Sequence, residues 1–259
     1  MMPSRLLLTI LGLAVLVPVF WAGSVVAEEP AAQGQPIEIR LGEDDQSPRI
    51  SATLGMLATM TALAFIPMLL VMTTSFARII IVLGFLRQAL STQQTPPNVV
   101  LIGISLFLTL FIMGPVFDRM NREGLDPYLK GKATPVEALQ GGLRPLREFM
   151  AQQTHKKDLA LALELSHASE PRDLDDVPTT TLIPAFMLSE LRTAFQMGFL
   201  LFLPFLVIDL VVGAVLLSMG MIMLPPVMIS LPLKLLLFVL ADGWYLVVRS
   251  LVASFAAGG

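Results

Sequence analysis

The chain has no cysteine, which excludes a disulfide framework and any thiolate metal site. Charge is scarce as well: 14% of its 259 residues are Asp, Glu, Lys or Arg, against roughly 25% in soluble domains. A net charge of −3 argues against a nucleic-acid binder, which normally carries a basic face. There is no glycine-rich phosphate loop, no H-E-x-x-H and no nucleophile elbow, and this argues against an enzyme. Internal repeats, expected of many solute transporters, are also missing. What the chain has in quantity is hydrocarbon, with 55% hydrophobic residues and a mean hydropathy of +0.76. It reads as a membrane protein.

The N-terminus resembles an address. Arg5 precedes an apolar run over residues 6–20, and Val25, Val26 and Ala27 supply the small residues of a cleavage site. The expectation is a secretory signal cleaved after Ala27, the alternative being a retained anchor helix. Cleavage would leave the mature N-terminus outside the cytoplasm of a bacterium. Residues 28–50 are polar and acidic. Two uncharged runs, 50–77 and 99–117, each exceed the roughly 20 residues that span a bilayer. They define a first apolar hairpin over 51–117, joined through Arg78, Arg87 and the turn T-P-P-N at 95–98. If residue 28 is outside, both arginines lie in the cytoplasm, in line with the positive-inside tendency. Residues 118–181 then form a periplasmic segment, and 182–259 a second apolar hairpin.

In the periplasmic segment Val136, Leu139, Leu143, Leu146 and Met150 recur at helical spacing. Gly141, Gly142 and Pro145 interrupt them, so two helical pieces are expected. Glu164 and His167 form an E-x-x-H of the kind found in di-iron bundles. Its companion ligands are missing, so a solvated helix face is the better reading, and His155 is read as a surface residue.

Six ionisable residues punctuate the last apolar region: Glu190, Arg192, Asp209, Lys234, Asp242 and Arg249. Charges at membrane depth face a partner, a bundle interior or water. Glu190 and Arg192, two apart, point to different helix faces and need partners on other helices or subunits. Asp242 and Arg249 lie about 10 Å apart along a helix axis, too far to pair. These charges serve either assembly or an ion pathway. Pro184, Pro204, Pro225, Pro226 and Pro232 are expected to kink or divide the region. The fold class is therefore all-α: two helical hairpins with broken, proline-kinked helices and a small helical periplasmic segment.

Between two of these helices runs S-M-G-M-I-M-L-P-P, residues 218–226. Met219, Met221 and Met223 alternate with Gly220 and Ile222, and Pro225 and Pro226 close the run. Methionine adapts to objects of varying shape, and irregular backbone at membrane depth must be buried in protein or line a cavity. The run is either part of a deformable passage or filler in a helix–helix core.

Longer stretches carry a resemblance. S-F-A-R-I-I-I-V-L-G-F-L-R-Q-A-L at 75–90 is followed by Q-T-P-P-N at 94–98. Then come I-P-A-F-M-L-S-E-L-R-T-A-F-Q-M-G-F at 183–199, L-P-F-L-V-I-D-L-V-V at 203–212, and the methionine run continued to Trp244. Over residues 50–255 the chain resembles the FliP/SctR family of type III secretion export gates, and the signal-like N-terminus favours the flagellar branch over the injectisome branch. The resemblance implies a homo-oligomer that forms a channel with FliQ and FliR at the centre of the basal body. Its other neighbours would be FlhA, FlhB and the MS ring. Unfolded flagellar proteins would pass along its axis, driven by energy coupled elsewhere. It implies that Met219, Met221 and Met223 form a gasket, with Gly220, Pro225 and Pro226 as its hinge. Glu190 and Lys234 would join neighbouring subunits, with Arg78, Asp209 and Asp242 in structural or assembly contacts. No cofactor is implied. A solute or ion transporter and a pure scaffold remain the competing classes.

Overall fold

The structure is a computed structural model that describes residues 47–92, 95–166, 176–221 and 223–256. The expected signal segment and the polar stretch up to residue 46 lie outside the described residues, as do His167 and Ile222. Among the described residues every regular element is a helix. The chain divides into two units, residues 1–70 and 71–259.

In the first unit the described structure is helix α1 (Ser47–Thr73), whose last three residues fall in the second unit. It is apolar on every side, and Met56, Leu57, Met60, Leu63 and Phe65 are all exposed. A helix without a polar face is suited to lipid or to a protein interior. Its hydroxyls turn inward: Thr59 and Thr61 donate to the carbonyls of Gly55 and Leu57, each at 2.8 Å.

The second unit contains α2 (Phe76–Ala89), α3 (Asn98–Met120), a π-turn (Asn121–Leu125), α4 (Asp126–Leu129), α5 (Pro135–Gln153), α6 (Lys156–Leu165), α7 (Thr179–Ser218), α8 (Pro226–Leu240) and α9 (Gly243–Ala256). The connection expected between the two apolar runs is itself mostly helix, and α2 is the centre of the unit. Ile79, Val82, Leu83 and Leu86 are all but sealed from solvent, packed chiefly against α7 and then α3.

Residues 135–153 form one helix rather than two pieces. Thr134 and Glu137 close a capping box: the Glu137 amide donates to Thr134 Oγ1, and the Thr134 amide donates to Glu137 Oε2 at 2.8 Å. This satisfies two otherwise unpaired N–H groups at the start. The two glycines do not break the helix, because they are where another backbone enters. A Cβ on Gly141 would lie 2.4 Å from the Glu123 carbonyl oxygen, and one on Gly124 would lie 2.7 Å from Gly142 Cα. The π-turn after α3 brings that segment against α5.

Pro184 and Pro204 do not divide α7, which runs unbroken for 40 residues, about 60 Å. Each proline deletes one backbone hydrogen bond, a loss that packing on α2, α5, α6 and α8 offsets. Pro232 likewise lies inside α8, whereas Pro225 and Pro226 begin it. The length of α7 is about twice the thickness of a hydrocarbon core, about 30 Å. Among the described residues, three helical stretches are long and apolar enough to cross a membrane: Gly55–Thr73, Asn98–Leu129 and Thr179–Ser218. The α8–α9 pair, bent by 65°, makes a fourth if counted as one span. The chain is an all-α membrane protein.

Two predictions follow from α5. Gly141→Ala should lower stability by about 1–3 kcal/mol despite its better helix propensity, because the obstructing atom is backbone and cannot move aside. Gly103→Ala, facing open space in α3, should not; thermal unfolding in detergent compares the two. The second concerns acid. The Thr134 amide holds the Glu137 carboxyl below its ordinary range, and the Arg119 guanidinium, 2.7 Å away, does the same for Glu148. Their contribution is complete above the unfolded carboxyl value of about 4.3 and is lost as pH falls through the lower folded values. Acid titration of helicity should therefore show a small low-pH loss, reduced in Glu137→Gln with Glu148→Gln.

Candidate functional site

Arg78 is 1% exposed, buried among helices rather than set on an open surface. The periodicity of α2 turns it inward with Val82 and Leu86, toward α7. Its Nε donates to Glu190 Oε2 at 2.8 Å, and its Nη2 donates to Glu190 Oε1, making a bidentate pair. Nη2 also reaches Gln153 Oε1 on α5, and Nη1 reaches Ser254 Oγ on α9, both at 3.0 Å. The guanidinium lies 3.8 Å from the centre of the Phe255 ring, and Gln153 Nε2 donates to the Phe255 carbonyl at 3.1 Å. Four helices thus meet at one cation. The partner that Glu190 needed on another helix is Arg78.

Lys234 on α8 is equally buried. Its Nζ donates to Asp209 Oδ2 at 2.6 Å, Ser91 Oγ at 2.7 Å and the Ala89 carbonyl at 3.1 Å. Those three bonds use all three ammonium protons. Ser91 adopts a left-handed backbone, φ 57°, directly after α2. Asp209 keeps one oxygen back: Oδ1 is buried and accepts no hydrogen bond among the described residues.

A third polar cluster was not singled out in the sequence. Asp158 is buried in the first turn of α6. Its Oδ1 forms an ion pair with Arg192 Nη2 and its Oδ2 accepts from Ser189 Oγ, each at 2.8 Å. Ser189 Oγ in turn accepts the His155 amide at 2.9 Å. The only local signal was an acid in a helix's first turn, where the dipole favours it. S-E-L-R at 189–192 therefore serves two clusters, Ser189 and Arg192 toward α6 and Glu190 toward α2.

Other candidates stay apart. Asp242 is exposed at the α8–α9 bend with φ 49°. Arg249 lies 6.0 Å from the Tyr245 ring. His155 and Glu164 are exposed, and among the described residues no three His, Asp or Glu side chains gather as metal ligands.

The methionine loop joins α7 to α8. The Met221 amide donates to the Leu216 carbonyl and the Gly220 amide to that of Leu217, both at 3.0 Å. This closes α7 in a Schellman motif. Gly220 occupies its left-handed position with φ 75°, a conformation costly for residues with a Cβ. Pro225 is extended, and Pro226 is the first residue of α8. Between these clamps Met219, Met221 and Met223 are 67%, 37% and 99% exposed, so they fill no core of this chain. Farther along the same two helices, α7 and α8 flank an apolar groove of about 390 Å³, lined by Val207, Val211, Leu233 and Leu237 among others.

Membrane-length helices, buried charge clusters and a clamped exposed loop define a polytopic α-helical protein whose chemistry is that of packing. The FliP family model matches residues 59–251. The chain is 53% identical over 206 residues to the flagellar biosynthetic protein FliP of Bacillus subtilis, covering 80% of this chain and 93% of that one. It is 48% identical to the protein of the same name from Pectobacterium carotovorum, covering 91% and 89%, and 44% identical to that of Aquifex aeolicus, covering 93% and 98%. The chain belongs to the FliP family, membrane-embedded proteins of flagellar biosynthesis and its export apparatus.

Breaking the central pair should be severe. Arg78→Met leaves Glu190 buried and unpaired, at a cost of about 3–5 kcal/mol. Adding Glu190→Met should recover part of that loss, since an apolar pair needs no desolvation. Thermal unfolding of the single and double variants in detergent measures the difference.

Proposed function

We propose that the chain is a subunit of the flagellar type III export gate, forming with FliQ and FliR the channel for unfolded flagellar proteins. The loop at 219–223 is its seal. The observation that carries this reading is the loop itself: three adaptable side chains held in the open by a backbone clamped at both ends. A seal of this kind must be soft in its side chains and firm in its backbone. It fits around a passing chain and closes behind it, limiting ion leakage. The chain conducts passively in this reading and catalyses nothing.

Assembly from several copies is supported by what one copy leaves exposed. Phe107, Phe111, Phe195, Phe199 and Leu200 present large apolar surfaces along α3 and α7, suited to lipid or to sister subunits. Lys234 spends all three donors and Arg78 four of its five within the chain, which leaves little for a transported ion and favours packing over a solute pathway. One acid remains open to a neighbour's donor, Asp242 at the bend, while Asp209 holds α8 through Lys234. Glu190, Lys234 and Arg78 contribute to the interface by fixing the helices that carry it. The reading places the protein in the bacterial inner membrane at the basal body, with the excess length of α7 directed to the periplasm. FlhA, FlhB and the MS ring are its neighbours there.

A strain lacking this chain should fail to release flagellin and hook protein into the medium, and complementation should restore both. Normal secretion and motility would overturn the flagellar reading and turn attention to an injectisome gate. Replacing Met219, Met221 and Met223 with Ala should raise the ion conductance of cells with an opened gate. Unaltered conductance would remove the seal while leaving the export role standing.

A further inference from the structure

The same loop has a chemistry that sealing does not require. Thioether sulfur is a soft, neutral ligand that selects Cu(I) and its analogue Ag(I) over Mg²⁺, Ca²⁺ or Na⁺. With no cysteine and two histidines in the chain, methionine supplies its soft sulfur donors, and three of them stand within five residues here. We infer that the loop is a binding site for a soft monovalent cation, Cu(I) or Ag(I), held by the thioethers of Met219, Met221 and Met223.

Three observations support the site beyond composition. First, the side chains are exposed, Met223 almost completely, so turning toward an ion removes nothing from the core. Met113 and Met150, at 0% and 1% exposure, have no such freedom. Second, the methionines sit at alternate positions in the short link between α7 and α8, beginning at the α7 cap residue Met219. Residues two apart can be no more than about 7 Å from each other in any conformation, a gap that Met side chains with three rotatable bonds can close. Met56 and Met60 on α1 offer only a pair, one helical turn apart. Third, the Schellman bonds and Pro225 hold both ends of the loop, so less backbone entropy is lost when the sulfurs converge. No charged side chain in the loop competes for the ion or draws hard cations to it. Binding at this site does not depend on whether the loop closes a channel.

The test uses the full chain purified in detergent and titrated with silver nitrate in chloride-free buffer by calorimetry. Cu(I) under competition from bicinchoninate is the second probe. About one ion per chain should bind saturably, and Met219→Leu, Met221→Leu and Met223→Leu together should weaken binding by about tenfold or more. Leucine conserves volume, and thermal unfolding verifies that the variant is folded. Met56→Leu with Met60→Leu should bind as the unaltered chain does. In methyl-labelled protein, Ag(I) should shift the three loop methionine resonances selectively. Equal affinity in the triple variant, or no saturable binding to the unaltered chain, overturns the site.

Discussion

The second unit depends on a buried arginine that spends four of its five donors within the protein. Taking a guanidinium out of water is expensive unless nearly all its hydrogen bonds are replaced. Here Glu190 takes two of them in a bidentate pair, Gln153 and Ser254 take others, and the Phe255 ring covers the cation. Because the acceptors come from α7, α5 and α9, satisfying one side chain fixes three helices around α2. An apolar contact at that position would pack as tightly but would specify direction and register less strictly.

The same logic is repeated along α7. Asp158 docks α6 through Ser189 and Arg192, and Lys234 docks α8 onto Asp209 and the end of α2. One long helix therefore carries polar connections at several levels, which lets it pass through two prolines without dividing. Its far end is finished by backbone alone, in the Gly220 cap. The contrast between this firm frame and the exposed methionines beyond it is the mechanical basis of the seal proposed for this loop.

Glycine and proline mark where local reading and tertiary structure diverge. At Gly220, the left-handed cap that the residue invites is the one it makes. At Gly141 and Gly142, the reading of a break was incorrect because the missing side chains make room for the Glu123–Gly124 backbone. Proline in α7 leaves the helix undivided for a related reason. Its local cost is real, but a helix held on several sides by neighbours can absorb it.

By itself the sequence determined the membrane class, the all-helical fold, the loop and the family, because these depend on composition, spacing and long matching stretches. It also indicated that Glu190 and Arg192 needed partners beyond their own helix. Tertiary structure decided who those partners were: Arg78 meets Glu190 across 112 residues of chain, and Arg192 meets Asp158, which no sequence pattern had singled out. It also set Arg78 at the centre of the unit. The physical reason is that burial and local propensity are properties of a segment. A charge's partner is set by which helices pack together, and only the folded chain brings them into contact.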